Sequence, residues 1–143
     1  MGHQGVFDEM LASLTAVAAA AFAVEAEKIR IYGHEPMRNN PAWAPPGTRT
    51  IGDHLGQQLL EDGALDEPTA RNLGRLFTLR NGLTHPEHRD PAPGEPHPTG
   101  TSTSWVAAAY HADVAACMVE LAETVVQAMR AHDVGQLKMR PLP

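Results

Sequence analysis

The chain has 143 residues, with 11 Lys and Arg against 17 Asp and Glu, and a formal charge of −6 with neutral histidines. That length fits one domain, 1–143, with enough surface to bury for a core without covalent staples. A composition of 43% hydrophobic and 20% charged residues excludes a wholly disordered chain, and the acidic balance excludes a broad polybasic nucleic-acid surface, though not a small basic site. Aromatics make up only 5%, so Ala, Leu, Val and Met must form most of the core. Cys117 is the single cysteine, which leaves no internal disulfide and points to a reducing, cytoplasmic setting. No apolar run is expected to reach the roughly 20 residues that span a bilayer, and Met1-Gly2-His3-Gln4 does not open like a signal peptide. No membrane association is therefore expected.

Val6 to about Tyr32 contains neither proline nor glycine, and Phe7, Leu11, Leu14, Ala18 and Ala21 recur with the spacing of one helical face. Lys28 and Arg30 in the last turn and Gly33 beyond it mark the end of this first helix. Residues 33–50 carry Pro36, Pro41, Pro45 and Pro46 and form a first long loop. Thr50 caps a short second helix, in which Ile51, Leu55 and Leu59 recur every four residues up to Gly63. Asp66-Glu67-Pro68 opens a third helix, which stops near His85 because Pro86 disfavours helical geometry before it. Residues 86–101 form the second long loop. A fourth helix is expected from a cap at Ser102, Thr103 or Ser104 to about Asp133, with Gly135 as terminator. Its stripe of Trp105, Ala108, Ala112, Ala115, Val119, Ala122, Val126 and Met129 reads as a core seam. The fold class is all-α: a four-helix up-down bundle with long first and last helices and two long Pro-rich loops.

The third helix holds the most informative side chain. With Leu73 at zero, Leu76, Phe77, Arg80 and Thr84 fall at about 300°, 40°, 340° and 20°, which sets Arg80 inside the apolar stripe. Arg71 and Arg75 fall on the opposite, solvated face. An arginine among buried positions needs a carboxylate, carbonyls, a partner subunit or an anionic ligand. The internal candidates are Glu25 and Glu27 of the first helix; the external one is an anion in a cleft. Asn81 and His85, four residues apart, share a face, so Asn81 can orient the imidazole. His54, His85 and His88 are the weaker, metal-binding alternative, because His85 and His88 straddle a proline turn and share no helical face. His34, Glu35, Arg38 and Trp43 of the first loop are candidates for the wall of a site near His85. Ser13, Ser102 and Cys117 lack an adjacent base, and Gly56, Gly63 and Gly74 read as isolated helix or turn glycines.

Arg80-Asn81-Gly82-Leu83-Thr84-His85 resembles the signature of HEPN domains, in which an arginine followed by a polar residue precedes a histidine near the end of a helix in an α-helical bundle. The apolar run Leu76–Leu79 ahead of it and the long Ala-rich first helix ending in Glu25, Glu27 and Tyr32 are similar to that family as well. The resemblance implies a homodimer whose Arg–His pairs face each other across a cleft, and metal-independent cleavage of RNA. His85 would act as acid/base, Arg80 as phosphate clamp and Asn81 as orienter, with no cofactor and no metal. It also implies a toxin or defence role with a neutralising protein partner, or, in members that have lost catalysis, a module that binds a nucleotide or a protein. One branch of the family carries a tyrosine two residues after the histidine, which a nucleotidyltransferase antitoxin modifies; here that residue is Glu87. Glu87, Asp90 and Glu95 make the adjoining loop acidic and unfavourable to a long RNA backbone.

Overall fold

The computed structural model describes residues 3–84 and 111–139. Among these residues there are four helices and no strand: α1 (His3–Tyr32), α2 (Ile51–Glu61), α3 (Glu67–Thr84) and α4 (Ala112–Met139). The protein is an all-α four-helix bundle with long outer and short middle helices. Its ends follow from local chemistry. Thr50 and Asp53 close a reciprocal capping box on α2. Asp66 caps α3 by accepting the Thr69 N–H at 2.9 Å, and the bonds from the Thr69 hydroxyl and amide hold its carboxyl below the usual range. Gly33 and Gly63 stand just past α1 and α2 at φ +84° and +75°, a backbone region costly for residues with a Cβ. Buried Lys28 adds to the α1 terminus by donating to the Gly33 and Glu35 carbonyls at 2.9 and 3.2 Å.

Two helix pairs form the bundle. In the α2–α3 hairpin, Gly52 lies against the Leu73 carbonyl and the Phe77 ring, Gly56 against the Ala70 carbonyl, and Gly74 against the Asp53 carboxylate. The pairing is antiparallel, and its close approach depends on three missing side chains. These glycines are packing positions and not the isolated glycines expected from the sequence. The second pair is α1 with α4. Glu9 accepts the Ala112 N–H, Glu27 meets Arg130, and Arg30 lies near Asp133. Each pair is separated by 103 residues, so the two long helices run in the same direction, a course the long connection between α3 and α4 permits. Val17, Ala21, Val24, Leu55, Leu59, Leu73, Leu76, Phe77, Val125 and Met129 are fully enclosed between the two pairs.

Four further expectations are corrected. On α1 the buried face is Ser13, Val17, Ala20, Ala21 and Val24, while Leu11 is 51% exposed and Ala18 is exposed. The alanines on all sides leave the burial to the neighbouring helices. On α4, Val119 and Ala112 are exposed, and Met118, Leu121 and Val125 join Ala115, Ala122 and Met129 in the core. The helix also continues through Gly135 to Met139, because a glycine terminates a helix only where the backbone turns left-handed, and Gly135 keeps a negative φ. Of the expected start of this helix, Ser102–Ser104, Trp105 and Ala108 lie outside the described residues; α4 starts at Ala112, and the Ala115 N–H donates to the His111 carbonyl. Finally, an 18-residue window within Asp8–Tyr32 of α1 reaches a mean hydropathy of 1.5 and is, by length and composition, apolar enough to cross a membrane, contrary to the expectation that no such run exists. The core helix of a bundle meets the same criterion.

A Cβ at Gly56 has no room, whereas one at Gly135 meets nothing within 4 Å. Gly56→Ala should cost about 1–3 kcal/mol through overpacking, while Gly135→Ala should raise stability by up to about 1 kcal/mol through helix propensity. Urea unfolding followed by circular dichroism checks both signs.

Glu27 ties α1 to α4. Buried, it accepts from Arg30 at 2.9 Å and from Arg130 at 3.3 Å, and these bonds, Arg30 first, hold its carboxyl below the usual glutamate range against the opposing effect of burial. A lowered folded value gives stability that is complete above the unfolded pKa of about 4.3 and is lost as pH falls through the folded one. The stability gap between wild type and Glu27→Gln should therefore be largest near pH 7 and shrink in acid, as thermal melts across pH 7 to 3 can measure.

Candidate functional site

Near the C-terminal end of α3, the Arg80 side chain runs back along the apolar stripe, its guanidinium 4.9 Å from the centre of the buried Phe77 ring. Nη1 donates to Glu25 Oε2 at 2.8 Å and Nε to Asn81 Oδ1 at 3.1 Å. Nη2 carries no hydrogen bond among the described residues. The side chains of Arg80 and Glu25 remain 25% and 30% exposed. The arginine is thus oriented on three sides, by a ring, a carboxylate and an amide, while a quarter of its side chain stays exposed. Of the partners expected for it, the internal carboxylate is Glu25, whereas Glu27 serves Arg30 and Arg130.

Glu25 also borders a recess of about 410 Å³ beside α1, lined among the described residues by Phe22, Ala26 and Ile29 as well. Phe22 is 72% exposed, the most open large apolar side chain described. The sequence reading did not single it out. The available signal was its position three residues before Glu25, which places both on adjoining parts of one helical surface.

The predicted site residues Arg80 and Asn81 are in contact, with Asn81 Oδ1 turned toward the guanidinium. His85 lies outside the described residues, as do His88, Glu87, Asp90, Glu95 and Ser102. The first loop does not simply run free. His54 Nδ1 is 3.0 Å from the Asn39 carbonyl and 3.1 Å from Asn39 Oδ1, and Asn39 Nδ2 donates to the His54 carbonyl at 3.0 Å. The Trp43 indole donates to Asp53 Oδ1 at 3.0 Å beneath the Arg71 guanidinium, 5.7 Å from the ring centre. Trp43 and His54 therefore clasp the 33–50 loop to α2, while His34, Glu35 and Arg38 are exposed. Arg71 and Arg75 are on the solvated face as expected, Arg71 paired with Glu67. Among the described residues no group of three His, Cys, Asp or Glu side chains is placed to hold a metal ion.

A second polar cluster lies where α1, α2 and α4 end. His132 Nε2 is 3.6 Å from Asp62, Arg30 is 3.8 Å from Asp133, and the buried Tyr32 hydroxyl has no hydrogen-bond partner among the described residues. Burial first, then the charges of Asp62 and Asp133, push the Tyr32 phenol up, so it stays protonated at neutral pH.

Exposed ion pairs are worth up to about 1 kcal/mol and breaking buried ones costs about 3–5 kcal/mol. The half-buried Arg80–Glu25 pair belongs between them, so Arg80→Ala should cost about 1–3 kcal/mol by chemical denaturation. A loss beyond that range would mean that Arg80 is chiefly a core element.

No protein-family model matches the chain, and no curated protein or solved structure matches it significantly.

Proposed function

We propose that the chain is a HEPN-like, metal-independent endoribonuclease of toxin or defence type, cytoplasmic and acting as a homodimer. The observation that carries this reading is the Arg80 guanidinium, fixed by Glu25, Asn81 and Phe77, with Nη2 making no hydrogen bond among the described residues, five residues before His85 in the sequence. A preoriented guanidinium with a free edge binds a phosphate at lower entropic cost than a mobile one and stabilises the charge that develops in phosphoryl transfer. The exposed Phe22 beside Glu25 adds an aromatic surface on which an unpaired base stacks, as single-stranded RNA recognition requires. This suits the acidic chain: a few nucleotides held by stacking and one clamp need no basic track.

In this reading His85 takes the proton of a 2′-hydroxyl, the 2′-oxygen attacks the adjacent phosphorus, and the bond to the 5′-oxygen breaks as that oxygen gains a proton. The products are a 2′,3′-cyclic phosphate and a 5′-hydroxyl. Arg80 holds the non-bridging oxygens throughout, and Asn81 positions the guanidinium. The Glu25 pair also favours a second reading, a catalytically silent module that binds a nucleotide or a protein partner, because an arginine already neutralised needs no substrate.

The deciding experiment is cleavage of short single-stranded RNAs in excess EDTA. The expected result is cyclic phosphate ends and a rate governed by a group titrating near the ordinary histidine value of about 6.5. His85→Ala should lose on the order of a hundredfold or more, and Phe22→Ala should raise KM more than it lowers kcat. Intact RNA with wild-type protein leaves the silent module; activity abolished by EDTA and restored by zinc moves the chemistry to His54, His85 and His88.

A further inference from the structure

Among the described residues, the α2–α3 hairpin covers one side of the α1–α4 pair and no element covers the other. There the two helices form an apolar groove of about 420 Å³, with Ala16, Ala19, Ala20 and Ala23 on one wall and Val119, Ala122 and Val126 on the other. Its α4 rim has an internal symmetry. With Val119 at zero, Glu123, Val126, Gln127, Arg130 and Val134 fall at about 40°, 340°, 80°, 20° and 60°, a single stripe. Read in either direction from its midpoint between Val126 and Gln127, the stripe presents valine at both ends and opposite charges one step in. Val119, Glu123, Arg130 and Val134 are all exposed. Glu123 makes no ion pair among the described residues, and Arg130 reaches back to Glu27 with Nε and Nη2, at 3.3 and 3.4 Å.

We infer that a second copy of this chain docks on the α1–α4 face about a two-fold axis through that midpoint, with the two α4 helices antiparallel. In this arrangement Val119 of each copy meets Val134 of the other, Glu123 meets Arg130 twice, and each α4 lies in its mate's groove. The interface is isologous, so one complementary pair of charges on one chain serves both halves. The alanine wall of α1 lets the entering helix approach closely, with no side chain longer than a methyl in its way. The area fits. Two helices side by side present a face about 20 Å wide and 40 Å long, on the order of the 800 Å² per partner that stable complexes bury.

This inference does not rest on the nuclease reading, and it places the copies differently from the shared cleft that the HEPN resemblance implies. Glu25 lies about 180° round α1 from Ala16, so in this dimer the recesses bordered by Glu25 face outward, one on each copy.

Light scattering of the full chain at micromolar concentration should give twice the 15.4 kDa chain mass. At low salt Glu123→Arg sets arginine against Arg130 twice and should weaken dimerisation by about tenfold or more. Adding Arg130→Glu should recover most of that loss. Because Arg130 also contacts Glu27, a second measurement is independent of charge: in a Cys117→Ser background, Val119→Cys with Val134→Cys should give an interchain disulfide on mild oxidation, and neither substitution alone should do so efficiently. A monomer at 100 µM would overturn the inference, as would a dimer indifferent to Glu123→Arg in which the paired cysteines fail to cross-link. Monomer that floats with phosphatidylcholine or phosphatidylglycerol vesicles would also overturn it, by assigning the apolar face to lipid.

Discussion

The Asp53 carboxylate governs the middle of the molecule. Almost wholly buried, it accepts the Thr50 amide and hydroxyl on Oδ2 and the Trp43 indole on Oδ1, so one charge closes the N-terminus of α2 and anchors the 33–50 loop. A carboxylate out of water is tolerable only with such a full set of donors. It also requires that nothing else occupy its place, and Gly74 of α3 leaves that space free. Together with Gly52 and Gly56 this fixes the spacing and register of the α2–α3 hairpin. Register then decides what the rest of α3 meets: Leu73, Leu76 and Phe77 enter the core, and Arg80, one turn further, arrives at Glu25.

The termini and caps of these helices were legible in the sequence because they depend on local chemistry. Thr50, Asp66, Gly33 and Gly63 act within a few residues of themselves, and nothing distant alters what they do. Rotation of the helices was not legible to the same degree. In α1 nearly every face carries alanine, so an apolar face through Leu11 and Ala18 looked as good as the buried one through Val17 and Val24. α4 has the same ambiguity over a narrower angle: Val119 belongs to the apolar arc, yet lies on its shoulder. Which part of such an arc is covered depends on how far α2 and α3 reach, a tertiary matter that periodicity does not encode. The terminating power given to Gly135 failed for a related reason, since a helix supported by packing on one side carries a glycine at a cost of about 1 kcal/mol.

The candidate site divides in the same way. That Arg80 must find a partner followed from its place in the stripe, and Glu25 was one of two carboxylates within reach. The choice between them was settled by geometry, because Glu25 and Glu27 point to different sides of α1, about 200° apart. Glu25 serves α3 and Glu27 serves α4. Phe22 and the recess beside it escaped the sequence reading because an isolated phenylalanine in an Ala-rich helix reads as core. Its exposure appears only when α3 is seen to end its cover at Glu25.

These two carboxylates make α1 the mechanical centre of the protein. Two residues apart, they hold the helix between Arg80 on one side and Arg130 on the other, and each ion pair adjoins a concave surface. Arg80 holds Glu25, which borders the Phe22 recess, and Arg130 borders the alanine groove. A change in how α1 lies between its neighbours therefore reaches both surfaces through pairs of side chains already in contact, without any long chain of contacts between them. Coupling of that kind is a free energy and so is reciprocal. Whatever occupies the recess and draws Arg80 away from Glu25 alters the electrostatic hold on α1. Whatever docks in the groove and shares Arg130 with a second carboxylate alters the same hold from the opposite side.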